Sequence, residues 1–385
     1  MGVYSEYLDA NLSVPQQTAE RKRLLKAISA ERGGRDILVF AGDPMKNASI
    51  EYPDILPIQD QLSNLHGTEL DIILETPGGF AEVVEDLVRL IRAKYSSVAV
   101  IIPGYAKSAG TIFSMAADDI LMGQISALGP IDAQIQTNGG KRFSADAFLD
   151  GLQKIKEEVV KTTRLNPAFI PILQNISPGE IQHCENAQSF SRTLVKNWLV
   201  EYKFKTWAVH SSTGLPVTIE EKTQKAEKIA TCLCKHADWL THSRSIKIAD
   251  LRKMGLQIQD YSENSKLDDA ITRYYTLLRM AFESTNIYKI FETPESQIYR
   301  FYLNGNPLIP GQMPTQNVMI DFNCPNCQKP SRIQANLEVH QDIQLGCIPY
   351  PVSDNIFICP HCGKKSNILQ VKTQLEAQTG KKVVP

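Results

Sequence analysis

Two short runs carry most of the chemistry open to this chain: Glu75-Thr-Pro-Gly-Gly79 and Gly104-Tyr-Ala-Lys-Ser-Ala-Gly110. A serine hydroxyl is a weak nucleophile at neutral pH. It attacks a carbonyl when a base takes its proton and amide donors hold the oxyanion that forms. Ser108 stands at a predicted helix start. Gly78 and Gly79 carry no side chains and can turn a backbone N–H toward the same point, where the N–H of Ala109 would complete a two-donor oxyanion hole. The ordinary role of a serine before a helix is an N-cap; a glycine pair at the neighbouring strand end weighs against so plain a reading. A second group is Cys324-Pro-Asn-Cys327 with Cys359-Pro-His-Cys362-Gly363. Each C-x-x-C places two thiolates on one tight turn, and two such pairs make the tetrahedral four-sulfur set of a structural zinc site.

The elements that must position these groups alternate. The pattern predicts a helix over 18–32 capped by Thr18, a strand Asp36–Gly42, a strand Leu70–Thr76, and a helix Phe80–Lys94 with Val83, Val84, Leu87, Leu90 and Ile91 at helical spacing. A strand Val98–Pro103, a helix Ser108–Ala117 and a strand Asp119–Met122 follow. Such alternation predicts a parallel sheet covered by helices, with its functional groups at the carboxyl ends of the strands, where both motifs fall. Further helices are expected over 145–162, 180–208, 219–234, 246–256 (closed by Gly255) and 265–285 (capped by Ser265).

With 385 residues the chain is long enough for two or three domains. Its net charge of −1 argues against a protein that coats nucleic acid, and the ribbon's few bases, Lys329, Arg332, Lys364 and Lys365, argue the same. The most apolar stretch, Val98–Gly123, is broken by Lys107, Asp118 and Asp119, so no membrane span is expected. The N-terminus has no apolar run of the secretory kind, which points to the cytoplasm.

The run from Ile73 to Asp132 resembles the core of the Clp protease proteolytic subunit. It is more similar to the serine dehydrogenase proteinase family, a bacterial branch whose Lys-Ser-Ala-Gly-Thr and Leu-Gly-Pro-Ile-Asp signatures match Lys107–Thr111 and Leu128–Asp132. The resemblance implies an α/β fold: a Clp/crotonase-type spiral of ββα units with helical additions, here followed by the small zinc ribbon. It also implies peptide hydrolysis and homo-oligomers. The expected organisation is an N-terminal helical segment (1–35), the Clp-fold domain (36–303), a Pro/Gly/Asn-rich linker (304–316), the ribbon (317–373) and a frayed tail (374–385).

One departure from the resemblance concerns the base. Clp subunits place a histidine soon after the fourth strand, where this chain has Ser126-Ala-Leu-Gly-Pro-Ile-Asp132. The substitutes are His242, with Asp238 close by to orient its imidazole, and Lys141, which resembles the base of Ser-Lys proteases; His242 leads. Lys107 adjoins the serine but reads as a charge at the sheet rim, and Asp132 either lines the site or caps its own turn. The expected function is a serine peptidase acting through an acyl-enzyme on Ser108, with structural Zn2+ and a protein or peptide substrate. The alternatives are a catalytically idle Clp-fold scaffold that binds partners through the ribbon, and a crotonase-type acyl-CoA enzyme, which needs no serine at 108.

Overall fold

A computed structural model describes residues 2–136, 142–210, 213–303, 306–307, 317–379 and 381–384. The chain forms two compact units, Met1–Pro307 and Leu308–Pro385. The boundary falls within 304–316, and the helical segment 1–35 belongs to the first unit.

The first unit is built on strands β1 (Asp36–Gly42), β2 (Glu69–Glu75), β3 (Ser97–Ile102), β4 (Asp119–Met122), β5 (Gln259–Asp260), β6 (Ile287–Glu292), β7 (Gln297–Leu303) and β8 (Asn306–Pro307). Their order in the sheet is β8-β7-β6-β1-β2-β3-β4-β5. Strands β1 to β5 run parallel, as the alternation predicts, whereas β6 joins β1 antiparallel and makes the sheet mixed. Side chains alternate across the strands. Ile37, Val39 and Ala41 face one core with helices α2 (Val14–Glu31) and α10 (Ser265–Ser284), which follows α1 (Val3–Ala10) and the rest in chain order. Leu38 and Phe40 face the other core with α3 (Ile55–Ser63), α4 (Ala81–Arg92), α5 (Ala109–Met115), α7 (Pro178–Trp198) and α8 (Ile219–Cys234). Helix α6 (Ala145–Thr162) packs on α7, and α9 (Ile248–Lys253) ends before Gly255 at φ 89°.

The unit repeats a small motif. After β1, β2, β3 and β4 the chain turns into a short extended segment, and these segments pair with one another as a second layer. Ile50 bridges Gly79, Thr76 bridges Ala106, Tyr105–Ala106 pair with Ala127–Leu128, and Leu128 bridges Ile246. After the first three of these segments comes a helix, α3, α4 or α5. Long strand, short segment and helix in succession are the ββα spiral of the Clp/crotonase fold.

Several expectations need correction. Helix α2 starts at Ser13 rather than Thr18: the Gln16 side chain accepts from the Ser13 N–H at 2.9 Å, and Pro15 fits the first turn, where no N–H is needed. Asn264, not Ser265, caps α10, accepting from the Lys266 and Leu267 N–H groups. Helix α7 ends at Trp198 in a π-helical turn, Leu199–Lys203, instead of running to 208. The β6–β7 hairpin is not announced by its apolar pattern, because its strands bury charges: Lys289 and Arg300 both reach Asp54, and Glu292 pairs with Arg21 at 3.1 Å.

In the second unit, Asn317–Asn323 pairs antiparallel with Pro330–Leu337, and Ile356–Ile358 with Lys365–Asn367. The tail beyond Thr373, expected to fray, continues helix Leu369–Thr379. It then adds Val383–Val384 to the sheet at Asn336 and Leu337, with Val383 buried. Val383 joins Ile333, Ala335, Leu337, Tyr350, Phe357 and Ile368 in a core too small to leave that strand out.

Candidate active site

Ser108 sits at the turn between the Tyr105–Ala106 segment and α5, with φ 51° and ψ −114°. A non-glycine residue reaches positive φ at a cost of about 1–3 kcal/mol, a strain that concentrates at functional sites. The hydroxyl makes no capping hydrogen bond to the helix it precedes, so an N-cap does not account for it. The side chain is half-buried.

The glycine motif reaches it through the backbone. Thr76 donates its N–H to Tyr105 and accepts from Lys107 N–H, which ties the end of β2 to the segment before the serine. Gly78 then packs on Ser108: a Cβ there would stand 2.8 Å from the serine Cβ and 3.4 Å from its Oγ. On the other edge Ile50 donates to the Gly78 carbonyl at 2.7 Å and accepts from Phe80 N–H at 3.0 Å. A parallel bridge of this kind leaves the N–H of the central residue, Gly79, turned away from Ile50. Among the described residues neither Gly79 N–H nor Ala109 N–H donates a hydrogen bond. A side chain at Gly79 has no room: its Cβ would lie 2.3 Å from the Ile50 oxygen.

The expected base candidates fall in different places. His242 is one-third exposed, and its Nδ1 stands 3.7 Å from Asp132 Oδ2 with no hydrogen-bond partner. Asp132 is buried and accepts from Ser144 Oγ at 2.5 Å and Gln134 Nε2 at 3.0 Å. Asp238, expected to orient the imidazole, pairs with Lys235 at 2.9 Å and is 45% exposed; the carboxylate that faces His242 is Asp132. Lys141 lies outside the described residues. The ammonium of Lys107 donates to the Ser243 carbonyl at 2.7 Å. Burial, and then the charge of Lys247, push its pKa down. Lys247 donates to the carbonyls of Ile125 and Ser126, both at 2.9 Å. Two lysines thus fasten the histidine loop beside the serine turn. The Asp132–His242 approach is not visible in the sequence: Asp132 closes the Leu128–Asp132 signature and reads as lining the site or capping its turn, but nothing there links it to a histidine so far along the chain.

In the second unit the Cys324, Cys327, Cys359 and Cys362 sulfurs all lie within 4.8 Å of one another. Cys324–Cys362 are 3.6 Å apart and Cys327–Cys359 3.7 Å. A tetrahedral zinc with bonds near 2.3 Å sets sulfurs about 3.8 Å apart, so the four thiols fit such an ion. The two turns match: Gln328 donates to Cys324, and Gly363 to Cys359, each at 2.9 Å. Gly363 has φ 71°, and Gln328 takes φ 59° at the equivalent position without being glycine.

A ββα spiral with a strained, half-buried serine beside a glycine turn defines a protein of the ClpP-like class. Residues 8–214 match the ClpP-like SDH-type serine proteinase family, and the chain belongs to it. Ser108 and both glycines lie inside the match, while His242 lies beyond it. The uncharacterised protein MJ1495 of Methanocaldococcus jannaschii is 26% identical over 225 residues, covering 55% of this chain and 72% of that protein. MJ0137 of the same organism is 27% identical over 157 residues, covering 40% of this chain and half of its own length. Both relatives are archaeal, whereas the resemblance pointed to a bacterial branch. Among solved structures, a point mutant of the 1510-N membrane-bound stomatin-specific protease is 15% identical, covering 57% of this chain and 79% of its own, with a TM-score of 0.32. ClpP1 from Listeria monocytogenes is 11% identical, covering 60% and 90%, with a TM-score of 0.30. Among the described residues no helix is long and apolar enough to cross a membrane.

Proposed function

We propose that this chain is a serine endopeptidase whose nucleophile is Ser108. The observation that carries the reading is the serine's backbone: strained, packed on Gly78, and with its hydroxyl unused by the helix it precedes. In this reading His242 presents Nδ1–H toward Asp132 and accepts the serine proton on Nε2. Ser108 Oγ bonds to the scissile carbonyl carbon, and the N–H groups of Gly79 and Ala109 hold the oxyanion. The imidazolium then protonates the leaving amine as the C–N bond breaks, and water hydrolyses the acyl-enzyme by the same route in reverse. The four cysteines would hold a structural Zn2+, and the peptidase would act as a homo-oligomer on peptide substrates.

Labelling with a fluorophosphonate tests the nucleophile and its base together. The adduct is expected on the peptide that contains Ser108, with labelling in His242→Ala about 100-fold slower or more and in Lys141→Ala near wild type. The reverse order would assign the base to Lys141, and an adduct on another serine would overturn the reading.

Gly79→Ala is expected to slow labelling by about 100-fold, the usual effect of losing one oxyanion donor. Its Cβ would have to displace the Ile50 backbone from 2.3 Å. Melting temperature measured in parallel separates this local loss from unfolding.

A further inference from the structure

Glu75, the last residue of β2, has no part in the reaction described above, yet it is 0% exposed. Its Oε2 accepts from Tyr105 N–H at 2.9 Å, and its Oε1 from the Tyr275 hydroxyl of α10 at 3.0 Å. Among the described residues no cation pairs with it. Between these groups lies Gly104, where a Cβ would stand 2.0 Å from the Tyr275 oxygen and 2.7 Å from Glu75 Oε2. The carboxylate therefore occupies the space that a side chain at 104 would take, and grips the backbone three residues before Ser108. One residue further on, Thr76 makes the two backbone bonds that join the motifs. A buried carboxylate that touches no cation, with only the more distant Arg279 guanidinium to favour its charge, is a costly way to fill space, and an apolar or amide side chain would do it with less penalty.

We infer that Glu75 is a positioning residue that locks the glycine turn and the serine turn into one rigid unit, with Tyr275 as its support. The inference rests on the serine-peptidase reading for its effect on activity, but the contact itself does not.

The grip is pH-sensitive. Burial pushes the Glu75 carboxyl up to about 7; Tyr105 N–H, the Tyr275 hydroxyl and the Arg279 guanidinium oppose this, and Asp43 adds to it. Tyr261 and the Tyr105 phenol also feel its charge. Above pH 7 the carboxylate accepts both donors. Below it the protonated acid is a weaker acceptor, and the serine turn loosens.

The test combines labelling at Ser108 across pH with amide hydrogen exchange of the peptide around 103–110. Glu75→Ala is expected to slow labelling about 10- to 100-fold, as a displaced catalytic group does, and to speed exchange in that peptide. Glu75→Gln, which keeps an acceptor for Tyr105 N–H, should recover most of both losses and remove the part of the pH dependence that Glu75 contributes, leaving that of the base. Tyr275→Phe keeps the packing but removes a bond that favours the carboxylate, so the midpoint moves upward. A wild-type exchange pattern in Glu75→Ala, or an unmoved midpoint in Tyr275→Phe, would overturn the inference. If Glu75→Ala does not fold, the other two variants decide. Faster exchange in a protein that never labels at Ser108 would instead sink the peptidase reading and leave the positioning role standing.

Discussion

Ser108→Ala is expected to abolish fluorophosphonate labelling and to lower peptide hydrolysis by at least about 1000-fold, with the fold intact. The size follows from the chemistry: removing an activated serine leaves only substrate binding and the oxyanion donors, which supply a small remainder of the rate. The stability side discriminates as sharply. An N-cap serine loses about 1 kcal/mol on replacement by alanine. Here the hydroxyl caps nothing, so the melting temperature of Ser108→Ala should stay at the wild-type value. Ser108→Gly goes further, because glycine adopts φ 51° without strain. That variant should be equally inactive yet more stable by about 1 kcal/mol. Inactivity combined with higher stability is the signature of strain held for function. Unchanged peptide hydrolysis in Ser108→Ala would reject Ser108 as the nucleophile, whereas a wild-type chain that neither labels nor hydrolyses would favour the scaffold reading.

Linkage makes Glu75 visible in the same melting experiments. Its folded-state pKa of about 7 lies above the ordinary 4.5. Between those values the folded chain holds a proton that the unfolded chain has lost, so this group's contribution to stability is full below the unfolded value. It disappears as pH rises through 7. Glu75→Gln removes that dependence, so its stability gain over wild type should grow from pH 5 to pH 8.

What the sequence discloses about this fold divides by distance along the chain. The strands carrying both motifs are legible because Ile72, Ile73 and Leu74, then Val98 to Ile102, are continuous apolar runs buried on both faces. Pro77-Gly78-Gly79 ends one of them, and glycine needs no explanation other than its backbone, φ 126° and 147°. The cysteine knuckles are legible for the same local reason. The β6–β7 hairpin is not, because Lys289 and Arg300 look like surface residues until Asp54 appears, 235 and 246 residues away. Asp132 and His242 approach each other only after Ile246 bridges Leu128. Asp238, four residues from His242, is the natural choice in sequence, but the turn at Leu240, φ 65°, comes between them. Glu75 opens the Glu75–Gly79 motif and carries no signal of a role of its own. Its partners Tyr105 and Tyr275 come from two other elements, and only one of them is near in sequence.

Removing metal from the 385-residue chain is expected to unfold the Leu308–Pro385 unit and spare the Met1–Pro307 unit. The second unit has a core of a few side chains around Ile333, Tyr350 and Phe357, and a core in a chain of this size rarely supplies more than about 3–5 kcal/mol. Disulfides are not its support: all eight cysteines are free, and the facing sulfurs stand 3.6 and 3.7 Å apart, well beyond the roughly 2.05 Å of an S–S bond. Zinc bound by four thiolates contributes about 10–16 kcal/mol to folding in small zinc-finger peptides, more than so small a core supplies. Elemental analysis should therefore find one zinc per chain. Chelation should abolish the transition of the second unit while that of the first remains, and Cys359→Ser should reproduce the effect without chelator. Cys347→Ser serves as the control, since its thiol lies against the Met319 sulfur rather than in the cluster. A metal-free chain that melts as the untreated one does would show that the knuckles hold themselves together, and the strand Val383–Val384 would then have to supply what the ion does not.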